Sequence, residues 1–398
     1  MKRTLEILLI YATGLIQGLV LVTVPAASSV LTNPNIFAFS DSEYGILFVP
    51  QVIMAILGAL LGPKLSRKWG LKTIYQAGLG FNLSAMGLIA ASQLVQGQHN
   101  LAYICFFLGT TSVGAGFGLT LPMINVYAER FFPYKSASAL TGLHTLLGTG
   151  TALAPLLVTI LVKKSAWWFL PLSAFILLGV IFMASLLFDL KGEKLKLSSD
   201  PIQSSESQSA LSFGFWLFVL VVFLYGYCET VFANWAIIYL SKDILLSATQ
   251  AGIALAAFWG AVTAGRLLVS LLTVWIAPVW VYRVLPVMVA AAFLGISRIE
   301  SQYSGIVLFG FAGLACSAFL PLSFSLAQKR FESIAETVSG AIMASYMLGY
   351  GLASYGIGQV LEITDIRLGT LYRSSTFLAV VIVVLAIVLT RPRRQMIQ

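Results

Sequence analysis

Long apolar segments recur along the whole chain and constrain its fold more than any other feature. A helix needs about 20 apolar residues to cross a bilayer. The sequence has twelve such stretches, at 7–30, 43–62, 73–95, 101–127, 137–162, 168–189, 213–240, 247–272, 279–297, 304–327, 337–361 and 371–390. Only 10% of the residues are charged, against about 25% in a soluble domain. We therefore predict an all-α membrane protein with twelve transmembrane helices.

One polar stretch divides these segments into two equal groups. Ser, Gln and charged residues fill positions 191–210, a composition typical of a flexible linker. Six apolar segments precede it and six follow it. We predict an N-terminal six-helix half over 1–190, a cytoplasmic linker over 191–212 and a C-terminal six-helix half over 213–398.

The two halves also carry matching motifs in segments of the same rank. These are Leu-Pro at 121–122 and 320–321, Gly-Ile at 45–46 and 252–253, and Gly-x-Gly at 148–150 and 349–351. Together they indicate an internal duplication. Transporters built from two repeated halves bind their substrate near the membrane midplane, between the repeats.

The distribution of basic residues predicts the orientation. With both chain ends in the cytoplasm, all but six of the 24 lysines and arginines lie on the cytoplasmic side; the six are Lys163, Lys164, Lys242, Arg298, Arg367 and Arg373. This is the positive-inside pattern, which predicts the orientation. We expect an integral protein of a bacterial inner membrane. The net charge of +9 is divided among short loops, so it does not predict nucleic-acid binding.

The loop after the second segment resembles a known signature. Leu65, Lys68, Gly70 and Lys72 match the signature loop of the major facilitator superfamily, which implies a secondary transporter of two pseudo-symmetric halves. Arg67 stands where the family motif has an Asp, which puts in doubt the usual cytoplasmic lock. We expect cytoplasmic contacts from the basic and acidic residues of this region, with Arg67 pairing Glu129 as one arrangement and Arg130 and Arg266 as further contacts.

Three segments are similar to the fucose permease-like branch of that superfamily. The similarity covers 225–239 with its Tyr-Gly-Tyr-Cys-Glu motif, 258–266 with Phe-Trp and Gly-Arg, and the Leu-Pro-x-x-Asn that ends at Asn125. It implies proton-coupled sugar symport. The positions of the branch's usual coupling carboxylates hold Leu21 and Leu121 here. Glu229 is then the remaining candidate for proton coupling.

Glu229 and His144 are the two candidates for proton coupling. Glu229 is the one acidic residue in the apolar stretch 215–240, where a charged side chain costs about 2.5–3.5 kcal/mol on insertion scales. Histidine titrates near physiological pH. Either side chain is alternatively a structural hydrogen-bonding group between helices. The coupling ion is then a proton, with sodium as the alternative.

Six other side chains are candidates for substrate binding. They are Gln17, Gln51, Asn82, Asn125, Tyr225 and Trp259. Amides at mid-membrane depth bind a polar solute or join helices, and aromatic rings stack on a sugar or simply pack. Arg266 is either an interdomain contact or an anchor for an anion. We expect Glu229, His144, Gln17 and Asn125 to border one shared cavity.

No motif predicts an enzyme, a cofactor or a metal site. The Gly-x-Gly repeats at 114–118 lie inside an apolar segment and lack the strand-to-helix setting of a dinucleotide loop. The three cysteines have no metal-ligand spacing. The first hypothesis is a monomeric proton-coupled symporter of a sugar or another small polar solute. The alternatives are proton-coupled efflux of amphipathic compounds and a non-transporting membrane sensor.

Overall fold

The computed structural model describes residues 2–190 and 213–391. Its regular structure in those ranges is entirely helical. We number the twelve long helices α1 (Lys2–Ala26), α2 (Phe48–Trp69), α3 (Leu71–Ala91), α4 (His99–Phe131), α5 (Ser136–Val162), α6 (Phe169–Leu187), α7 (Phe213–Asn234), α8 (Ala248–Leu272), α9 (Pro278–Ile296), α10 (Gln302–Cys316), α11 (Ala335–Ile363) and α12 (Leu368–Leu389). The predicted linker over 191–212 lies outside the described residues.

The twelve predicted apolar segments fall on these twelve helices. In the described part of the chain, eleven helical stretches are long and apolar enough to cross a membrane. The twelfth prediction, 337–361, falls on α11, which has 29 residues. Its Gly, Ser and Tyr residues lower the mean hydropathy of this helix. Such residues suit a helix that contacts other helices and a cavity rather than lipid alone. The prediction of an all-α membrane fold is confirmed.

Helix interruptions do not all fall where Gly and Pro suggest. The sequence predicts interruptions in the first, fourth, seventh and eleventh segments. α1 ends just after Pro25, but α4 passes through Pro122 without a break and α11 is continuous. A proline removes one backbone donor, and neighbouring helices in a membrane bundle can compensate for it. The prediction was therefore wrong for the fourth and eleventh segments.

Two helices of the C-terminal half break at residues other than Gly and Pro. α7 ends at Asn234, and a short helix, Ala236–Lys242, continues its path. α10 ends at Cys316, and a second helix, Phe319–Arg330, follows after Ser317 and Ala318. The sequence predicts a single helix over this segment, although Pro321 lies in the first turn of the second helix, where proline is tolerated. Both breaks lie inside the protein, where side chains from other helices can satisfy the freed backbone groups.

The most extensive contacts between the halves lie in two places. α5 packs on α8, and α2 with the short helix before it packs on α11. Within the N-terminal half, α2 and α4 approach so closely that a Cβ on Gly58 would lie 3.0 Å from the Cα of Gly118. Glycine at this crossing is what allows the two backbones to touch.

Candidate functional site

Two adjoining cavities lie between the halves. The larger has a volume of about 260 Å³ and lies between α2, α4 and α11, at positions 55–60, 117–125 and 340–347. The smaller, of about 90 Å³, adds residues of α1, α7 and α8. Ala55, Phe117 and Met347 line both. We call the end of the bundle where α1 begins and α12 finishes the terminal end. The larger cavity extends toward it, since Asn125 lies near the last turn of α4.

Two buried polar atoms at the cavities have no hydrogen-bond partner. One is Oδ1 of Asn125, whose residue lines the larger cavity, and the other is Nε1 of Trp259, whose residue lines the smaller. A buried polar atom without a partner costs about 1–3 kcal/mol. Both atoms are themselves buried, so pairing with a ligand would require the side chain to turn toward its cavity.

The larger cavity is otherwise apolar, whereas the smaller has several polar groups. Apart from Asn125, the side chains of the larger cavity come from Ala, Ile, Leu, Phe, Pro and Met. Gln51, Asn234, Tyr346 and Tyr350 border the smaller cavity. None of these lining residues is charged. The site therefore offers a polar end and an apolar end.

Glu229 lies beside the smaller cavity and not in its wall. Its side chain is 4% exposed, and the hydroxyl of Tyr346 donates to its Oε2 at 2.7 Å. Tyr346 also lines the smaller cavity. This one side chain therefore contacts both the buried carboxyl group and the space that a ligand can occupy.

The break in α10 receives donors from two other helices. The hydroxyl of Tyr225 donates to the carbonyl of Cys316 at 2.6 Å. Nε of Arg266 donates to the carbonyl of Ser317 at 3.1 Å. Tyr225 is thus held as a structural donor and lines neither cavity. Among the described residues, Arg266 has its hydrogen-bond partner inside the C-terminal half and forms no ion pair with the other half.

Arg266 also influences both titratable candidates electrostatically. Its guanidinium is within electrostatic range of Glu229 and of His144. His144 lies one turn before Gly148, which packs directly on the side chain of Thr263 in α8. Arg266 is one turn further along α8 than Thr263. His144 therefore belongs to the α5–α8 contact between the halves and lines neither cavity.

At the end of the bundle opposite the terminal end, which we call the far end, Asn234 joins three helical segments. Its Nδ2 donates to the hydroxyl of Tyr350 at 3.0 Å and to Oγ of Ser354 at 2.9 Å. The hydroxyl of Tyr44 donates to its carbonyl at 2.8 Å. Trp235, the next residue, donates its indole N–H to the carbonyl of Ala353 at 3.1 Å. These bonds hold the break in α7 against α11.

Contacts between the halves close the far end. Nζ of Lys242 lies 2.7 Å from Oδ1 of Asp41. The backbone N–H of Ser42 donates to Oε2 of Glu362 at 3.3 Å. A Cβ on Gly45 would lie 2.5 Å from the carbonyl of Ser354, so the short helix Asp41–Ile46 rests on the α11 backbone. These contacts hold the two halves together at the far end.

Gln17 and Asn82 form a closed pair away from both cavities. Both are buried, and Nδ2 of Asn82 donates to Oε1 of Gln17 at 2.7 Å. Oγ1 of Thr120 is a second acceptor at 3.4 Å. Of Glu229, His144, Gln17 and Asn125, which we expect to border one cavity, only Asn125 lines either of these two. Glu229 and Gln17 are paired with side chains of other helices instead.

The contacts predicted at the terminal end for Arg67, Glu129 and Arg130 differ from those in the structure. Arg67 is exposed and makes no ion pair with Glu129. The carbonyl of Arg130 accepts a hydrogen bond from Nη2 of Arg3 at 3.4 Å, within the N-terminal half. In residues 2–190 and 213–391, no group of three or more His, Cys, Asp or Glu side chains could hold a metal ion.

Sequence reasoning missed Asn234, Tyr346 and Tyr350. A signal for two of them was present, because Tyr346, Tyr350 and Ser354 follow one another at four-residue spacing and so share one face of α11. No comparable pattern marks Asn234. Its role depends on the break in α7 and on partners more than 100 residues away.

Twelve helices in two halves, with cavities between the halves, define an integral membrane transporter rather than an enzyme. The chain belongs to the Major Facilitator Superfamily, whose family model matches residues 8–354. It is 23% identical over 311 residues to an uncharacterized MFS-type transporter, YfkL, of Bacillus subtilis (strain 168), and the match covers 74% of each chain. The family resemblance of the signature loop is thereby confirmed.

Solved structures of transporters share the fold at low sequence identity. A mutant of the nucleoside transporter NupG has a TM-score of 0.77 at 13% identity, covering 97% of this chain and 100% of its own. The xylose transporter XylE from E. coli, in an inward-open conformation, has a TM-score of 0.74 at 14% identity, covering 99% and 98%. The transporter FucP, in the outward conformation, has a TM-score of 0.63 at 17% identity, covering 98% and 100%.

Proposed function

We propose that this protein is a proton-coupled symporter of a sugar or another small polar solute, working by alternating access. The contact between Glu229 and Tyr346 carries the proposal. An ionised Glu229 holds the hydroxyl of Tyr346 as a hydrogen-bond donor. Protonation removes the negative charge of Glu229 and weakens its hydrogen bond to the Tyr346 hydroxyl. The hydroxyl can then bind a solute in the smaller cavity. Proton loading and solute binding then favour the same state, and this is the thermodynamic requirement for coupling.

The surroundings of Glu229 support a group that both gains and loses a proton. Burial opposes the charged form of any carboxyl group, and a nearby cation favours it. Glu229 has both influences, since it is buried and within electrostatic range of Arg266. We propose His144 as a second proton site, because movement at the α5–α8 contact would change its distance from Arg266.

The relatives make sugars the first solutes to test. XylE is described as a xylose transporter, and another structure of the same fold, with a TM-score of 0.74 at 15% identity, as a D-xylose–proton symporter. These descriptions apply to those proteins. For this chain they suggest a panel of D-xylose, L-fucose and D-glucose, with the proton as the first ion and sodium as the second.

Alternating access follows from which end is closed. We propose that residues 1–190 and 213–398 move as two bodies, joined by a cytoplasmic linker over 191–212. Both chain ends then lie in the cytoplasm, and the conformation is closed to the outside and inward-facing. The positive-inside bias of the loops supports this orientation. A monomer in a bacterial inner membrane is sufficient for the cycle.

A second candidate is proton-coupled efflux of amphipathic compounds. The apolar lining of the larger cavity favours it, since the side chains between Ala55 and Leu60 and those of Met343 and Met347 offer no hydrogen bonds. Methionine side chains adapt to ligands of different shape. Export by this route would exchange a proton against the compound rather than carry both together.

Proton movement during transport distinguishes the two candidates. Proteoliposomes that contain the purified protein and a trapped pH-sensitive dye receive each sugar of the panel from outside, without an imposed gradient. Symport predicts that at least one sugar acidifies the interior of the proteoliposomes. Adding a protonophore should abolish this change in dye signal. Efflux predicts no acidification with any sugar and a pH response to a lipophilic cation. A sodium-dependent, pH-silent uptake would replace the proton with sodium.

A further inference from the structure

The two adjoining cavities offer more than a site for a simple sugar. Two residues of their walls have a buried, unpaired polar atom, and the two atoms differ in character: Oδ1 of Asn125 is an acceptor and the N–H of Trp259 is a donor. Each atom is buried, so each loses its interaction with bulk water and finds no protein partner. A ligand that fits both must present a donor at one end and an acceptor at the other.

The spacing along α4 requires an elongated ligand. Phe117 lines both cavities, and Asn125 lies eight residues further along the same helix. At a rise of 1.5 Å per residue, this separation is about 12 Å. Trp259 lines the smaller cavity together with Phe117. A ligand that reaches from Trp259 past Phe117 to Asn125 is therefore on the order of 10 Å long, more than one sugar ring.

The chemistry of the walls differs along this path. Near Trp259 the wall includes the polar groups of Gln51, Asn234 and Tyr346, which suit several hydroxyl groups. Beyond Phe117 it is apolar until Asn125. Water alone would satisfy the two polar atoms poorly, because an apolar space holds it weakly. An apolar section of the ligand is the complement of this middle region.

Among the side chains that the structure describes, none that lines either cavity is charged. Glu229 lies beside the smaller cavity, and its carboxylate already accepts a hydrogen bond from the hydroxyl of Tyr346. An ion in this space would lose its hydration without a free counter-charge, at a large cost. The occupant is therefore uncharged.

We infer that the cavities form one two-ended site for an uncharged glycoside-like amphiphile. Its hydroxylated head lies in the smaller cavity with an oxygen accepting from Trp259. Its apolar section passes Phe117. A hydrogen-bond donor at the other end, the tip of the ligand, binds Oδ1 of Asn125, toward the terminal end of the bundle. This inference rests on the proposed function, because it takes the cavities to be the substrate site. It goes further by predicting a preference for an extended glycoside over the free sugar.

Three matched probes separate the parts of the site. D-Glucose supplies the head alone, phenyl β-D-glucopyranoside adds the apolar section, and 4-hydroxyphenyl β-D-glucopyranoside adds the donor at the tip. Calorimetric titration of the purified full-length protein should give rising affinity in that order. We expect at least about tenfold from the phenyl ring and about fivefold more from the phenol hydroxyl.

Two substitutions assign these gains to residues. Asn125→Ala should remove the fivefold advantage of the phenol and leave the ratio of phenyl glucoside to glucose unchanged. Trp259→Phe, which keeps a ring but removes the N–H donor, should weaken all three probes. The matched controls are Asn100→Ala, at the exposed start of α4, and Trp216→Phe, on an exposed face of α7. Neither control should change any affinity.

Each outcome decides the inference. Equal affinities for glucose and both glucosides would overturn the two-ended site and leave the sugar site of the proposed function intact. An unchanged phenol advantage in Asn125→Ala would overturn the assignment of the tip. Binding of tetraphenylphosphonium with no binding of the glucosides would overturn both the inference and the proposed function. Failure of all four probes to bind would overturn the inference.

Discussion

At the scale of single residues, Tyr346 has the most informative position. Within the described residues, it alone both lines one of these cavities and donates a hydrogen bond to Glu229. Tyr350 lies one turn further along α11 and lines the same cavity, but its hydroxyl accepts from Asn234 instead. The two tyrosines thus share their surroundings and differ in their contact with the carboxyl group.

Replacing Tyr346 should therefore abolish coupling and also weaken solute binding, because its hydroxyl contacts both Glu229 and the smaller cavity. Tyr346→Phe removes a hydrogen bond to a charged group, an interaction of about 1.5–3 kcal/mol. We expect gradient-driven accumulation of sugar to fall at least about tenfold, which corresponds to 1.4 kcal/mol. Counterflow without a gradient should continue, with weaker apparent affinity for the sugar. Tyr350→Phe is the control, and equal loss of accumulation in both variants would count against the assignment.

The buried amides of Gln17 and Asn82 illustrate a structural role instead. Each is the other's partner, so removal of one leaves a buried polar group unpaired. We expect Asn82→Ala to lower the free energy of unfolding by about 1–3 kcal/mol, measured as a fall in melting temperature in detergent. Transport per folded molecule should be retained. Ser84→Ala, at an exposed position of the same helix, should change neither, and a transport defect in a stable Asn82→Ala protein would contradict this account.

At the scale of helices, sequence alone predicts where a helix exists better than where it breaks. Twenty-residue apolar segments are sufficient to predict all twelve helices, because the bilayer requires them. The break in α10 was missed, since its freed carbonyls at Cys316 and Ser317 are satisfied by Tyr225 and Arg266 from other helices. These partners are distant in sequence and come together only through tertiary packing. Local residue patterns therefore do not predict them.

The same limit explains which site residues were predicted. Glu229, Asn125 and Trp259 are conspicuous because they are polar or amphipathic in apolar surroundings. Whether such a group is free or already paired depends on the facing helix. Gln17 and Asn125 look alike in the sequence, yet only Asn125 has an unpaired atom at a cavity.

The contact between the short helix Asp41–Ile46 and α11 can be tested by overpacking. Gly45→Leu places a side chain against the carbonyl of Ser354, and overpacking of this kind costs about 1–3 kcal/mol. We expect the far end to stay open and uptake to fall by about tenfold or more. Electron–electron resonance between spin labels at Asn35 and Ser301 should report a longer distance. Gly97→Leu, in open space, is the control; an unchanged distance in Gly45→Leu would show that this contact does not close the far end.

At the scale of the whole molecule, the contacts are asymmetric between the two ends. The far end is sealed by the ion pair of Asp41 with Lys242 and by the hydrogen bonds of Asn234. The larger cavity extends toward the terminal end, and a Cβ on Gly340 at its edge would meet no atom within 4 Å. Transport requires the opposite arrangement as well, and the α5–α8 and α2–α11 contacts are where the halves can move.

The central claim is that Glu229 links the proton gradient to solute movement. Its most direct test is uptake by Glu229→Gln in proteoliposomes with an imposed inward proton gradient, beside counterflow without one, for the sugar that drives proton entry. Glutamine mimics the protonated carboxyl group and cannot titrate. The account predicts that this variant exchanges sugar but does not concentrate it, whereas Glu300→Gln, at an exposed loop position, concentrates it normally. Concentration by Glu229→Gln at the level of the parent protein would contradict the claim.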